Sequence, residues 1–255
     1  MSGIYTWRKL TFLNDRGLNL AGLLYTGLDP GTIVIVCHGF TGGKEGGGKA
    51  VAMAEEIGVQ GYSTLLFDFS GSGESEGSFA DISLSGHIND VKCSVDCCHD
   101  LGFKSIILVG RSFGGTAVLC QGGTDQRVAG VSCWAAPAEP FRIFSGRVKD
   151  VSTAENDLVS MSDESGTVLV KKCFFADLKS HNVTHCASSI SPRPLLVIHG
   201  EADDTVPLSN AENIYTAAGE PKSIKIISGA DHQFSGHYQE VWQTFFHWLG
   251  AHFPG

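Results

Sequence analysis

Six residues of this 255-residue sequence, Gly110-Arg111-Ser112-Phe113-Gly114-Gly115, have the types and the setting for nucleophilic chemistry. They stand directly after the apolar run Ile106–Val109 and directly before a helical pattern. A Gly-x-Ser-x-Gly string is common by itself, but strand, sharp turn and helix in succession raise a serine above the end of a sheet. Glycines two residues to either side let neighbouring backbones close on the turn. The bland alternative is a glycine-rich turn whose serine caps the next helix. A serine hydroxyl also needs a base to take its proton, and the base needs a third group to hold its tautomer. Two downstream segments offer them. His232 lies in Ser228-Gly229-Ala230-Asp231-His232-Gln233-Phe234 and Asp203 in His199-Gly200-Glu201-Ala202-Asp203-Asp204-Thr205-Val206-Pro207. Each segment follows an apolar run, so Ser112, Asp203 and His232 are expected together at the carboxyl end of a parallel sheet. Asp204 is the rival acid, and a slip of one residue would aim its side chain elsewhere.

Acyl transfer also requires donors for the developing oxyanion. The amide of Phe113, the residue after the serine, is one candidate. The second is expected from the loop His38-Gly39-Phe40-Thr41-Gly42-Gly43, where Phe40 is chosen. Competing chemistries lack their parts. The glycine cluster 42–48 with Lys44 and Lys49 does not satisfy a phosphate-binding GxxxxGK[ST] loop, and the Gly-x-Gly step after Asp68 lacks a third glycine for a dinucleotide. No HExxH pair occurs, so neither metal nor organic cofactor is expected. His87, His99, His181, His185, His237, His247 and His252 read as ordinary surface or partly buried residues, and His38 and His199 as loop-bonding residues at strand ends.

Residues 5–13 and 18–26 alternate apolar and polar around Asn14-Asp15-Arg16-Gly17, which predicts an antiparallel hairpin. Thereafter come short continuous apolar runs, at 33–37, 64–69, 106–110, 128–134, 195–199 and 224–227, as in strands buried on both faces of a parallel sheet. Helical spacing falls at 46–59, 84–101, 113–122, 208–218 and 238–250. The stretch between Pro137 and Pro194 breaks this rhythm with polar patches and one apolar segment, 168–175. A structureless loop of that length is rare in a compact domain, so a small cap subdomain is expected there. The division is a core of residues 1–136 and 191–255 with an inserted cap at 137–190.

Composition narrows the function classes. The hydrophobic share of 42% excludes a disordered chain, and a net charge of −9 without any Lys/Arg block leaves nucleic acid no footprint. The segment Met1 to Leu10 lacks the apolar stretch of a signal peptide, and no run approaches the length of a membrane span. None of the eight cysteines forms a CxxC pair, and several sit in apolar runs, so reduced buried thiols and a cytoplasmic location are expected. Redox sensing by Cys97-Cys98 finds little support, because adjacent helical residues face different ways.

The His38-Gly39-Phe40 loop, the stretch Asp68–Ser75, Gly-Arg-Ser-Phe-Gly-Gly at 110–115, His-Gly-Glu-Ala-Asp-Asp-Thr-Val-Pro at 199–207 and Gly-Ala-Asp-His-Gln-Phe at 229–234 together resemble the α/β-hydrolase superfamily. Within it the sequence looks most like bacterial cinnamoyl/feruloyl esterases and related carboxylesterases. The resemblance implies a mostly parallel eight-stranded sheet with helices on both faces and a cap between strands 6 and 7. It implies Ser112 as nucleophile, His232 as base, Asp203 as the orienting acid, and the Phe40 and Phe113 amides as oxyanion hole. The expected partner is a small-molecule ester, cleaved through an acyl-enzyme. Peptidase, thioesterase and monoacylglycerol lipase share that array, and a non-catalytic binding protein of the same fold is the rival of another class. Phe141, Phe144, Phe174 and Phe175 are either lining for an acyl pocket or the cap's own core.

Overall fold

The computed structural model describes residues 6–29, 31–150, 157–163 and 166–254. Strands β1 (Thr6–Leu13) and β2 (Asn19–Thr26) form the expected antiparallel hairpin, residue 5 of the expected strand lying outside the described residues. They are followed by β3 (Thr32–Cys37), β4 (Ser63–Phe67), β5 (Ser105–Arg111), β6 (Val128–Trp134), and, after the insertion, β10 (Leu195–Gly200) and β11 (Lys222–Ile227). The sheet order is β1-β2-β4-β3-β5-β6-β10-β11, with every pair from β4 onward parallel. Eight strands, mostly parallel, is the architecture the sequence implied.

Period-two alternation splits each central strand between two cores. Ile33, Ile35 and Cys37 of β3 join Ile106 and Leu108 of β5 beneath helices α2 (Leu84–Asp100), α3 (Phe113–Thr124) and α7 (Ser209–Ala217). Val34 of β3, with Ile107 and Val109 of β5, faces the other way, onto α1 (Lys49–Val59) and α8 (Tyr238–His252). Burial on both faces explains why these strands read as continuous apolar runs.

Several boundaries depart from expectation, β4 ending at Phe67 rather than 69 and β11 beginning at Lys222 rather than 224 among them. Helix α1 begins at Lys49 rather than 46, because Gly46, Gly47 and Gly48 all take positive φ, which an α-helix does not admit. The apolar segment 168–175 is not one element: β9 (Gly166–Lys171) ends and α5 (Cys173–Lys179) begins within it. Between β6 and β10 the chain also forms α4 (Pro140–Ser145), β7 (Val148–Asp150), β8 (Leu158–Asp163) and α6 (Val183–Ser188), with β7, β8 and β9 in a small antiparallel sheet. Residues 151–156 and 164–165 of the expected cap lie outside the described residues. Phe144, Met161, Val170, Phe174 and Leu178 of this insertion are buried in one cluster with residues of α2 and α3.

Candidate active site

Ser112 occupies the turn between β5 and α3 at φ 52° and ψ −122°, a left-handed conformation costly for a residue with a Cβ. Its neighbours force the turn. A Cβ on Gly110 would strike the Gly114 carbonyl, and one on Gly114 would strike the His38 carbonyl. The Ser112 amide donates to the Trp134 carbonyl at 2.8 Å, pinning the turn to β6. The hydroxyl makes no capping bond to α3, so the bland reading of this serine is not what its geometry shows. It lies 3.0 Å from Nε2 of His232.

His232 follows β11, and its Nδ1 sits 2.8 Å from Oδ2 of Asp203, which follows β10. The three side chains expected together are therefore joined in one hydrogen-bonded array, each residue 5–7% exposed. Asp203 is fixed by its own loop, Oδ1 accepting the amides of Thr205 at 3.0 Å and Val206 at 2.7 Å. Burial works against its ionisation. Hydrogen bonds from His199 and His232, with the Val206 amide, overcome that and hold the carboxyl far below the usual carboxylate range. Asp204, the rival, is exposed and bonds to the Thr205 hydroxyl.

His199 bonds within its loop, as expected of a residue at a strand end, and also reaches the array. Nε2 donates to the Val206 carbonyl at 2.8 Å and also lies 3.3 Å from Oδ2 of Asp203. The available signal was the i, i+4 spacing of His199 and Asp203 across a strand end. His38 behaves as a loop-bonding residue: Nδ1 donates to the Gly39 carbonyl at 2.7 Å and Nε2 accepts the Phe69 amide at 3.1 Å. Burial lowers its affinity for a second proton. One expectation fails at His87, which is fully buried and stacked on Phe69 with ring centroids 3.8 Å apart. Its place on the apolar face of α2 explains this, and burial pushes its pKa well down.

Phe113 opens α3, so its amide is among those a helix leaves without an intrahelical acceptor. Phe40 is brought against it, ring edge to face at 5.6 Å. Phe144 and Phe174 pack on both, with centroids 4.8 to 5.9 Å apart, and so belong to a shared interior cluster. Phe141 and Phe175 are half-buried at its margin. Behind the array, Lys44 in the loop after β3 holds Asp68 in the loop after β4, its Nζ 2.7 Å from Oδ2 and its amide 2.7 Å from Oδ1. Among the described residues, no group of three or more His, Cys, Asp or Glu is placed to hold a metal ion, and no helix is long and apolar enough to cross a membrane.

The profile described as alpha/beta hydrolase fold matches residues 32–152. The uncharacterized protein YfhR of Salmonella typhi is 30% identical over 220 residues, covering 82% of this chain and 68% of the relative. Human palmitoyl-protein thioesterase ABHD10, mitochondrial, is 29% identical over 207 residues, covering 78% of this chain and 65% of its own. The chain thus spans about two thirds of the length of these relatives. Among solved structures, ferulic-acid-bound Est1E from Butyrivibrio proteoclasticus superposes with a TM-score of 0.85 at 21% identity, over 96% of this chain and 100% of that one. The esterase domain of a Rhodothermus marinus protein gives a TM-score of 0.75 at 26% identity, over 96% and 98%. With the eight-stranded sheet, the strained serine turn and these relatives in agreement, the chain belongs to the α/β-hydrolase superfamily.

Proposed function

We propose that the protein is a serine hydrolase that cleaves small to medium carboxylic esters through an acyl-enzyme, cinnamoyl and feruloyl esters being one class within its range. The observation that carries this reading is the 3.0 Å approach of Ser112 Oγ to His232 Nε2, with His232 Nδ1 already engaged by Asp203. That engagement leaves Nε2 as the unprotonated acceptor of the neutral ring. His232 takes the Ser112 proton as Oγ attacks the ester carbonyl, and the Phe40 and Phe113 amides receive the oxyanion, each such donor being worth about 2.7–4 kcal/mol. The imidazolium, stabilised by the ionised Asp203, then protonates the departing alkoxide. Water repeats the sequence on the acyl-enzyme and frees the acid. No metal or organic cofactor enters any step.

A thioester substrate is the second reading, favoured by the 29% identity to a palmitoyl-protein thioesterase. A thiolate leaves more readily than an alkoxide and asks less of His232 as acid. We read residues 137–190 as a cap over the carboxyl ends of the strands, and a reducing, cytoplasmic setting is in keeping with eight free cysteines.

The test is the initial hydrolysis rate of p-nitrophenyl esters from acetate to laurate, with methyl ferulate and an acyl thioester beside them, for wild type and Ser112→Ala. Turnover by the wild type alone supports the reading, and the preferred chain and leaving group define the substrate. No turnover, together with no labelling by a fluorophosphonate, would favour the non-catalytic binding protein.

A further inference from the structure

Helix α3, which starts at the Ser112 turn, meets α6 of the insertion at unusually short range. A Cβ at Gly123 would lie 2.6 Å from the Cys186 carbonyl oxygen and 3.2 Å from the Cys186 Cα, so only glycine lets α6 come this near. Arg193 fixes the joint. Its Nη1 donates to the Asp125 carbonyl, just past α3, at 2.7 Å, and its Nη2 to the Ser189 carbonyl, just past α6, at 3.2 Å. Nε adds the Ile190 carbonyl at 3.0 Å. Cys120 stands one helical turn before Gly123 on the same face of α3, and its thiol interacts directly with that of Cys186.

The two thiols differ as exchange chemistry requires. Cys186 is half-buried and within reach of a small disulfide, and its thiol, lowered to about 7, is in good part thiolate at neutral pH. Cys120 is buried and its thiol is pushed up, so it waits for a sulfur delivered by Cys186.

We propose that Cys120 and Cys186 are a redox-active pair that takes a small disulfide such as glutathione disulfide and closes reversibly into a bond between α3 and α6. The Cys186 thiolate attacks one sulfur of glutathione disulfide, that S–S bond breaks, and one glutathione leaves as thiolate. Cys120 then gives up its proton and attacks the Cys186 sulfur of the mixed disulfide, expelling the second glutathione. The protein thiols lose two electrons, glutathione disulfide gains them, and both thiol protons end on glutathione. The bond closes a loop that holds β6, α4, β7, β8, β9 and α5, which is most of the insertion. Thr116 of α3 already holds the insertion's beginning, its hydroxyl donating to the Pro137 carbonyl at 2.9 Å. Oxidation would thus let α3 grip the insertion at both ends. No reaction at Ser112 is needed, so failure of the ester assay would leave the pair standing.

The experiment treats the reduced whole protein with glutathione disulfide, blocks remaining thiols with N-ethylmaleimide and maps the non-reduced peptides by mass spectrometry. Expected are a peptide joining Cys120 to Cys186, its loss on adding dithiothreitol, and a Tm about 5 °C or more higher in the oxidised protein. Cys120→Ala and Cys120→Ser stop the exchange at a lasting glutathione adduct on Cys186, which the wild type does not accumulate. Exposed Cys173 is read separately on the same map. Absence of the joined peptide, joining of other cysteines in its place, an equally lasting Cys186 adduct in the wild type, or an oxidised protein that melts no higher would each overturn the proposal.

Discussion

His199 and His232 share one carboxylate oxygen: their Nε2 and Nδ1 atoms lie 3.3 and 2.8 Å from Oδ2 of Asp203. His232 depends on that oxygen for its orientation, so a second donor on it acts through Asp203 rather than on substrate. In the proposed reaction His199 is accordingly a positioning residue. Replacing it by Phe removes the Nε2–H that bonds the Val206 carbonyl and lies near Asp203, and is expected to lower kcat by several-fold with little change in KM. The pH dependence follows by sign. Asp203 is held below its unfolded value, so its contribution to stability is complete above about pH 4 and fades as pH falls toward the folded pKa. His199→Phe raises that folded pKa, so acid unfolding begins at higher pH. Acid titration followed by circular dichroism reads this, and an unchanged midpoint would remove His199 from the array's support.

The strained turn at Ser112 predicts a difference between two inactive variants. Ala keeps the Cβ that φ 52° penalises, whereas Gly does not. Ser112→Gly is therefore expected to exceed Ser112→Ala in stability by about 1 kcal/mol, seen as a higher Tm, with both inert toward p-nitrophenyl esters. Equal melting temperatures would mean that the turn stores no strain.

Much of this was legible in the sequence because each signal was local. Continuous apolar runs gave the parallel strands, and Gly110 and Gly114 flanking Ser112 marked a backbone crowded on both sides. Asp203 and His232 stood out because each follows such a run in the required order. His199 bonds within its loop as its place at a strand end implied, but its added approach to Asp203 was signalled only by their i, i+4 spacing, because it depends on how the loop after β10 folds back. His87 was hidden likewise, since a histidine on a helix gives no sign that Phe69 of another segment will stack on it. The insertion was recognised only by its failure to fit, and β7, three residues long, is too short for its alternation to be read.

The Lys44–Asp68 pair fastens the loop that carries Phe40 to the loop after β4, with side chains 5% and 1% exposed. Burial opposes both charges, but the hydrogen bonds between them and from the Glu74 and Lys44 amides leave Asp68 below its ordinary value. Removing one partner strands a buried charge. Lys44→Met is expected to cost about 3–5 kcal/mol in urea unfolding, and adding Asp68→Asn to recover part of it. Because the folded pKa of Asp68 is depressed, the pair's contribution is present above about pH 4 and is lost on acidification below it. A double variant no more stable than Lys44→Met would show that the pair is not the loop's anchor.

Cys186 of α6 departs from the buried thiols. Burial pushes Cys97 up and Cys98 well up, which disposes of the adjacent pair as a reactive site, and it raises Cys133 to about 12. Cys186 instead is lowered to about 7, because its interaction with the Cys120 thiol on α3 favours the thiolate. Half-exposed Cys186 can carry the charge, while Cys120 is buried and stays protonated. Alkylation by iodoacetamide, mapped by mass spectrometry, is expected to rise at Cys186 with a midpoint near pH 7, while Cys97 and Cys98 remain unmodified there. Cys120→Ala removes that interaction and moves the Cys186 midpoint upward. A midpoint indifferent to that substitution would mean that the two thiols do not interact, and that α3 and α6 meet through packing alone.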